Sequence, residues 1–415
     1  MKIVHILGRG IEGCGVTRFT LEMKEWALSQ GWDYSVYATK DKRWTRANAH
    51  DLGAGVYQQK FGNKPARGDS QHGIGNVLEA ANSADLVVFG SLPSKSHPED
   101  CIQNFERLID GITSRIVMIQ HDHKMMSIKR NACLDQLIKR ADVIFSYSPR
   151  SPFMVYCQEL GTGANLESFC NGLNLEKLKD QYYKPIDQQD PHLFKWIGRS
   201  AYWKGFDVFF DLYDHGKFNE QDSLLYTLEG MEKSIQFVNI REKWDFHEMG
   251  EDYSKINELK RGEKPYIFGA YNHAEMLERL SLSAFGFQLT YLQPEYIHHF
   301  IEFTHLEIVG VGAIPVFRKT FGDHCTHLQT GNPMTADANT GTIWIGEVGS
   351  DHSETVKLID SLRADPGYRD EFRHMSYEYY TAHNSPDSSF NDFYEKAQRE
   401  LTHQNVPAGL ESFFE

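Results

Sequence analysis

Two doubly wound α/β domains are what this sequence predicts, and three observations predict them. The chain has 415 residues, more than the roughly 100–200 of a single domain. Short β-branched or aromatic runs alternate with amphipathic stretches of about 10–15 residues, the pattern of right-handed βαβ units in a parallel sheet. A polar stretch breaks this rhythm midway, and the rhythm then restarts.

In order, KIVHIL (Lys2–Leu7) reads as the first strand because it is apolar almost throughout, as a strand covered on both faces must be. A helical pattern follows over Val16–Gln30, then the strand DYSVYAT (Asp33–Thr39), a helix over Asn76–Asn82 and the strand DLVVFG (Asp85–Gly90). The same alternation gives a helix over Pro98–Ile112, the strand RIVMIQ (Arg115–Gln120), a helix over Ile128–Arg140, the strand DVIFSYS (Asp142–Ser148) and a helix from about Ser151. Asn174–Pro191, with YYKPIDQQDP, carries the composition of a linker. Beyond it come HLFKWIG, a helix over Phe206–Tyr213, SLLYTLEG, PYIFGA, a helix over Ala274–Leu282, AFGFQLT, a helix over Tyr296–Val309, and AIPVF. From Tyr368 the charged and aromatic sequence reads as terminal helices. The expected division is 1–175, 190–367 and a helical end over 368–415 that packs back across the domains.

Hydrophobic residues make up 40% and charged residues 24%, which fits a globular protein and not a disordered chain or a membrane bundle. The N-terminus lacks a signal-peptide pattern, and the six cysteines form no C-x-x-C pair, so neither a zinc site nor a disulfide framework is expected and a reducing cytoplasm fits. The net charge of -14 speaks against nucleic acid when taken as an average. It is uneven, however: residues 1–150 hold 20 basic and 16 acidic side chains, and the remainder 23 and 41. That split fits either a basic working face on the first domain or ordinary drift.

Strand-end loops carry the candidate chemistry, since doubly wound sheets bind ligands there. Gly8-Arg9-Gly10-Ile11-Glu12-Gly13-Cys14-Gly15, between a strand and a helix, either cradles an anion with its backbone or is a tight turn. Arg199 and Lys204, in GRSAYWKG after the first strand of the second domain, can converge on one diphosphate as a fork and a point charge, or be surface cations. Gln120-His121-Asp122-His123-Lys124 crowds titratable groups at a strand end, where a carboxylate beside histidines can act as a base or stabilise charge; a structural polar cluster or a metal site are the alternatives. Glu302 and Glu307 are five apart, off one helical face, so they are expected to reach different parts of a ligand unless they are helix-surface acids. Lys40-Asp41-Lys42-Arg43-Trp44-Thr45-Arg46 suits phosphate contacts or base stacking, or an exposed loop, with Lys124, Lys129 and Arg130 in the same half.

With these residues in view, the sequence resembles the DNA α-glucosyltransferases of T-even bacteriophages, retaining enzymes of the GT-B type with two Rossmann-like domains facing a central cleft. GRGIEGCGVTRF, KDKRWTR with His50-Asp51, Ile119–His123, RADVIFSYS, KWIGRSAYWKGF, EMLERLSLSAFGFQL, EFTHLEIVGVGAIPVF and DSSF carry the resemblance across most of the chain. It implies transfer of a sugar from a UDP-sugar, UDP-glucose first and UDP-arabinose as the alternative, to the hydroxyl of 5-hydroxymethylcytosine in double-stranded DNA, with retention. It also implies a DNA-binding first domain, a UDP-sugar-binding second domain, a monomer, and action in the cytoplasm of the infected bacterial host. Arg199 and Lys204 would hold the leaving diphosphate, Glu307 the ribose, and Glu302 would lie near the sugar, with Glu278 a further candidate in the cleft. His121 and Asp122 would stand beside the anomeric centre, and Gly13 and Gly15 would let the loop approach the donor. Lys42, Arg43, Arg46, Lys124 and Arg130 would meet DNA phosphates, and no metal is required if two cations neutralise the diphosphate.

The sequence departs from the pattern where many GT-B enzymes have two glutamates: His299 stands eight before Glu307. Gly53–Gly75 and Phe218–Tyr266 also differ, which bears on the donor sugar. Two other readings stay open, a GT-B transferase for a small-molecule, lipid or glycan acceptor and a non-catalytic DNA-binding or nucleotide-sensing protein.

Overall fold

The computed structural model describes residues 1–8, 15–39, 55–59, 74–93, 99–121, 133–149, 151–197, 204–215, 224–226, 247–248, 266–268, 273–290, 301–320 and 340–399. The chain forms two compact units, Met1–Phe169 with Phe390–Glu415, and Cys170–Ser389.

The first unit is built on seven parallel strands in the order β3-β2-β1-β4-β5-β6-β7. These are β1 (Lys2–Leu7), β2 (Asp33–Thr39), β3 (Val56–Gln59), β4 (Leu86–Ser91), β5 (Arg115–Gln120), β6 (Val143–Ser146) and β7 (Asn165–Ser168). Helices α1 (Gly15–Ser29), α2 (Ile74–Asn82), α3 (Glu99–Gly111), α4 (Leu134–Arg140) and α5 (Pro152–Glu159) connect them. Chain order reverses between the neighbours β1 and β4, the switch point of a doubly wound sheet. The central strands are mostly apolar because helices cover both faces: Ile3, Val4, Ile6, Val87, Val88 and Val117 are fully buried. Helix α5 starts where it does because the Ser151 hydroxyl accepts from the Met154 N–H at 3.3 Å and Pro152 fits the first turn.

The second unit repeats the plan with β8 (Asp190–Ile197), β9 (Leu224–Tyr226), β10 (His247–Glu248), β11 (Tyr266–Phe268), β12 (Ser283–Gln288), β13 (Ile314–Arg318) and β14 (Ile343–Ile345). All are parallel, in the order β10-β11-β9-β8-β12-β13-β14, so its switch point lies between β8 and β12. Its helices are α6 (Leu175–Tyr182), α7 (Phe206–His215), α8 (His273–Ser281), α9 (Phe303–Gly310), α10 (Ser353–Ala364) and α11 (Pro366–Asn384). Gly286 in β12 lets α9 lie against the sheet, since a Cβ there would come within 2.6 Å of the Ile308 side chain.

Helix α12 (Pro386–Gln398) supplies Phe390, Phe393 and Tyr394 to the first unit. Phe393 stacks on Phe145 at 4.2 Å, Tyr394 on Trp26 at 5.4 Å, and Phe390 meets Phe19 edge-on at 5.5 Å. All three are buried, and Lys396 donates to the Ser168 carbonyl at 3.0 Å, so residues from the end of the chain complete the aromatic side of this core.

The structure corrects the sequence reading at three kinds of place. The expected linker folds: Asn174 accepts from the Lys177 N–H at 3.0 Å and caps α6, which buries Leu175 and Leu178. The helix expected from Tyr296 begins at Phe303, because Glu302 is extended (φ -69°, ψ 153°) and occupies the cap position. Finally, β3, β7, β10 and β14 were not foreseen, and these are the four sheet edges. An edge strand is short and covered on fewer sides, so VYQQ and NLES lack the apolar run that announces a central strand.

Candidate active site

Charged and hydrogen-bonding groups converge at the switch point of the second sheet. Lys204 follows β8, and its backbone carbonyl accepts from the indole N–H of the fully buried Trp196 at 3.1 Å. Gly205, at φ +74°, brings the chain against Leu289, whose carbonyl a Cβ at 205 would overlap. Backbone geometry and one buried tryptophan therefore fix where the Lys204 side chain starts.

That side chain ends on Glu302. The Lys204 ammonium donates to Glu302 Oε1 and, at 3.1 Å, to the Thr290 hydroxyl. Glu302 Oε2 is approached by Gln288 Nε2 at 2.7 Å, by the Thr290 hydroxyl at 3.1 Å and by the Thr304 hydroxyl at 3.4 Å. Gln288 also donates to Thr304 at 2.5 Å, which ties the end of β12 to the start of α9. Both charged side chains are mostly buried, 13% and 19% exposed, so water screens the pair weakly. Burial alone would raise the Glu302 carboxyl, but the Lys204 charge and the donated hydrogen bonds outweigh it and hold the group below the usual carboxylate range. Glu302 is therefore an anion at neutral pH.

Behind it, the Glu302 N–H donates to His305 Nδ1 at 3.1 Å, which fixes that nitrogen as the unprotonated one. His305 packs edge-on to Phe317 at 4.4 Å, and burial pushes its ring down to about 3. Glu307, about one turn into α9, is buried and paired through Oε1 with His273 Nε2 at 2.5 Å. The two glutamates thus serve different partners, because Glu302 lies outside the helix and not because of a helical offset. Glu278 is half exposed on α8 and pairs with Lys184 at 3.0 Å, roughly 140° around the helix from His273. Arg318, at the end of β13, is buried; its Nε donates to Glu347 at 2.9 Å and its Nη1 reaches the Leu289 carbonyl at 3.4 Å. Arg199 lies outside the described residues.

In the first unit His121 directly follows β5, half-buried among Phe19 (5.2 Å), Phe169 (5.5 Å) and Tyr147 (6.1 Å), with Nδ1 3.4 Å from the Tyr147 hydroxyl. Gly15 opens α1. Gly13, Lys42, Arg43, Arg46, Asp122, Lys124 and Arg130 lie outside the described residues. Within β1, His5 is fully buried with Nδ1 2.7 Å from the Tyr34 hydroxyl; burial, reinforced by His121, pushes its ring down to about 3. Among the described residues no group of three or more His, Cys, Asp or Glu could hold a metal ion.

His5 and His305 give the fold a pH dependence of defined sign. Both rings stay neutral in the native state down to about 3, whereas unfolded histidine titrates near 6.5, so below about 6.5 the unfolded chain binds more protons. Their contribution is complete above that pH and is lost on acidification, by about 1 kcal/mol per pH unit for each ring. Denaturant midpoints measured between about pH 7 and pH 4 are expected to fall accordingly, and a flat profile would show that the rings protonate within the fold.

Gln288, Thr290, Thr304, His273 and Arg318 are site residues that the sequence reading missed. The QLT that ends AFGFQLT marks two of them, since polar residues alternate there at a carboxyl strand end; for His273 no sequence signal stands out.

The two seven-stranded parallel sheets, each with its switch point, are those of a GT-B glycosyltransferase. The fold is shared with sucrose-phosphate synthase from Thermosynechococcus elongatus, at 13% identity and a TM-score of 0.56 over 95% of this chain and 99% of that one. Residues 14–366 match the family model for DNA alpha-glucosyltransferase, and the chain belongs to that family. It is 32% identical to the DNA alpha-glucosyltransferase of Enterobacteria phage T4, over 94% of this chain and 97% of the relative. An alpha-glucosyltransferase solved in complex with UDP-glucose and DNA containing an abasic site is 30% identical, with a TM-score of 0.85 over 96% of this chain and all of that one.

Proposed function

We propose that this chain transfers glucose from UDP-glucose to the hydroxyl of 5-hydroxymethylcytosine in double-stranded DNA, with retention of configuration. The observation that carries the reading is the Lys204 site at the β8/β12 switch point, in a chain aligned almost end to end with a DNA alpha-glucosyltransferase. In the reaction the bond from the anomeric carbon to the diphosphate breaks, its electron pair leaving with UDP, and a bond forms from the acceptor oxygen. The acceptor proton passes to a base, for which Asp122 beside His121 is the candidate.

Lys204 and Arg199 hold the diphosphate as charge develops on it, and Glu307, braced by His273, accepts from the ribose hydroxyls. Glu278 is a peripheral candidate on the donor side, and Gly13 and Gly15 admit the donor to the first unit. Lys42, Arg43, Arg46, Lys124 and Arg130 meet phosphates around the target base, which is either extruded from the stack or reached at its groove edge. The balance of charge supports this division, the first 150 residues being basic while the whole chain is at -14. The protein works as a monomer in the cytoplasm of an infected bacterium.

The test is incubation with hydroxymethylcytosine duplex and a panel of UDP-sugars, followed by mass spectrometry of the digested nucleosides. A hexose increment from UDP-glucose is expected. A pentose increment would move the donor to UDP-arabinose, and sugar-free DNA with every donor would overturn the acceptor assignment.

A further inference from the structure

Two facts about the Lys204–Glu302 pair do not fit a carboxylate placed to touch the sugar. Four protein donors converge on Glu302, Lys204 on Oε1 and Gln288, Thr290 and Thr304 crowded on Oε2, so Oε2 has no acceptor position left to offer and the carboxylate is held by the protein. Moreover, the pair is neutral as a unit. Of the three ammonium protons of Lys204, two are given to Glu302 and Thr290, so an incoming phosphate is offered one oriented N–H whose positive charge is already offset a few ångströms away.

A negative charge held beside a phosphate-binding lysine weakens every anion bound there, and weakens it more the more charge the anion carries. Free UDP carries one more ionisable phosphate oxygen than UDP-sugar, so the penalty falls mainly on the product. The surrounding donors keep the carboxylate in place while this happens: Gln288 and Thr290 from the end of β12, Thr304 from the start of α9.

We propose that Glu302 is a fixed counter-anion to Lys204 that lowers the affinity of the site for free nucleoside diphosphate relative to the sugar-bearing donor, and so speeds product release. This deepens the donor-site reading above and rests on it. Glu302 is on this account a positioning and charge-setting residue, not a contact to sugar.

The experiment is calorimetric titration of UDP, UDP-glucose and uridine into the full-length native protein and E302Q, with transfer kinetics alongside. In E302Q the carboxamide keeps the shape and the charge is gone, so UDP is expected to bind about tenfold tighter, UDP-glucose by a smaller factor and uridine unchanged. Turnover should fall while the KM for donor does not rise, as expected when product leaves slowly. Because Lys204 loses its partner in E302Q, the pair K204M and K204M/E302Q provides a second comparison in which the double variant is the better compensated. The double variant is expected to bind UDP about tenfold tighter than K204M. UDP binding that is unchanged or weaker in E302Q, with no gain in the double variant, would overturn the proposal. So would a loss confined to UDP-glucose, which would return Glu302 to the sugar. A native protein that binds no UDP at all would instead overturn the donor-site reading, and the proposal with it.

Discussion

Lys204→Met is expected to reduce glycosyl transfer by about 10²–10³-fold, the loss typical when one oriented donor to a developing negative charge is removed. Two effects combine. The ammonium that meets the diphosphate is gone, and the Glu302 carboxylate is left mostly buried without its cation. Removing one member of a buried pair costs more than the pair contributes, so the variant should also lose about 3 kcal/mol of stability. Single-turnover kinetics at saturating donor, with denaturant unfolding on the same preparation, separates the two effects. Full transfer activity in a folded K204M protein would remove Lys204 from the site.

The second large effect is expected at Gly205→Ala. The residue sits at φ +74°, a conformation that costs a side-chain-bearing residue about 1–3 kcal/mol, and the added methyl would also meet the Leu289 carbonyl. Moving the 204–205 backbone away from Leu289 relieves both, and carries Lys204 away from Thr290 and Glu302. Transfer should therefore drop more than tenfold, with donor KM raised and Tm lowered together. A variant with native KM and native Tm would show that this contact gives way without moving the lysine.

How much of this was legible in the sequence follows from burial. The ten strands that the sequence shows occupy the sheet interiors, where two covered faces favour a mostly apolar run such as KIVHIL or RIVMIQ. The edges escaped because nothing requires VYQQ or NLES to be apolar. Helix α6 escaped because LEKLKDQY spends only Leu175 and Leu178 on the core, which composition reads as linker. In the site, Lys204 was visible from its place after a strand. Its partner was not, because Glu302 is 98 residues further along and only the pairing of β8 with β12 brings the two loops together. Helical spacing separates Glu302 from Glu307 in the sequence, but the position of Glu302 at the cap of α9 decides what it reaches.

The aromatic layer completed by Phe390, Phe393 and Tyr394 has a bearing on how the protein is made. A ribosome delivers β1 to β7 first, then the whole of the second unit, and only then the rings that cover Phe19, Trp26 and Phe145. During that interval of about two hundred residues the aromatic side of the first unit's core is uncovered, so its final packing waits for Phe390, Phe393 and Tyr394 even though its strands are synthesised earliest. The usual order, in which an N-terminal domain is finished while the rest is still being translated, is here reversed in its last step.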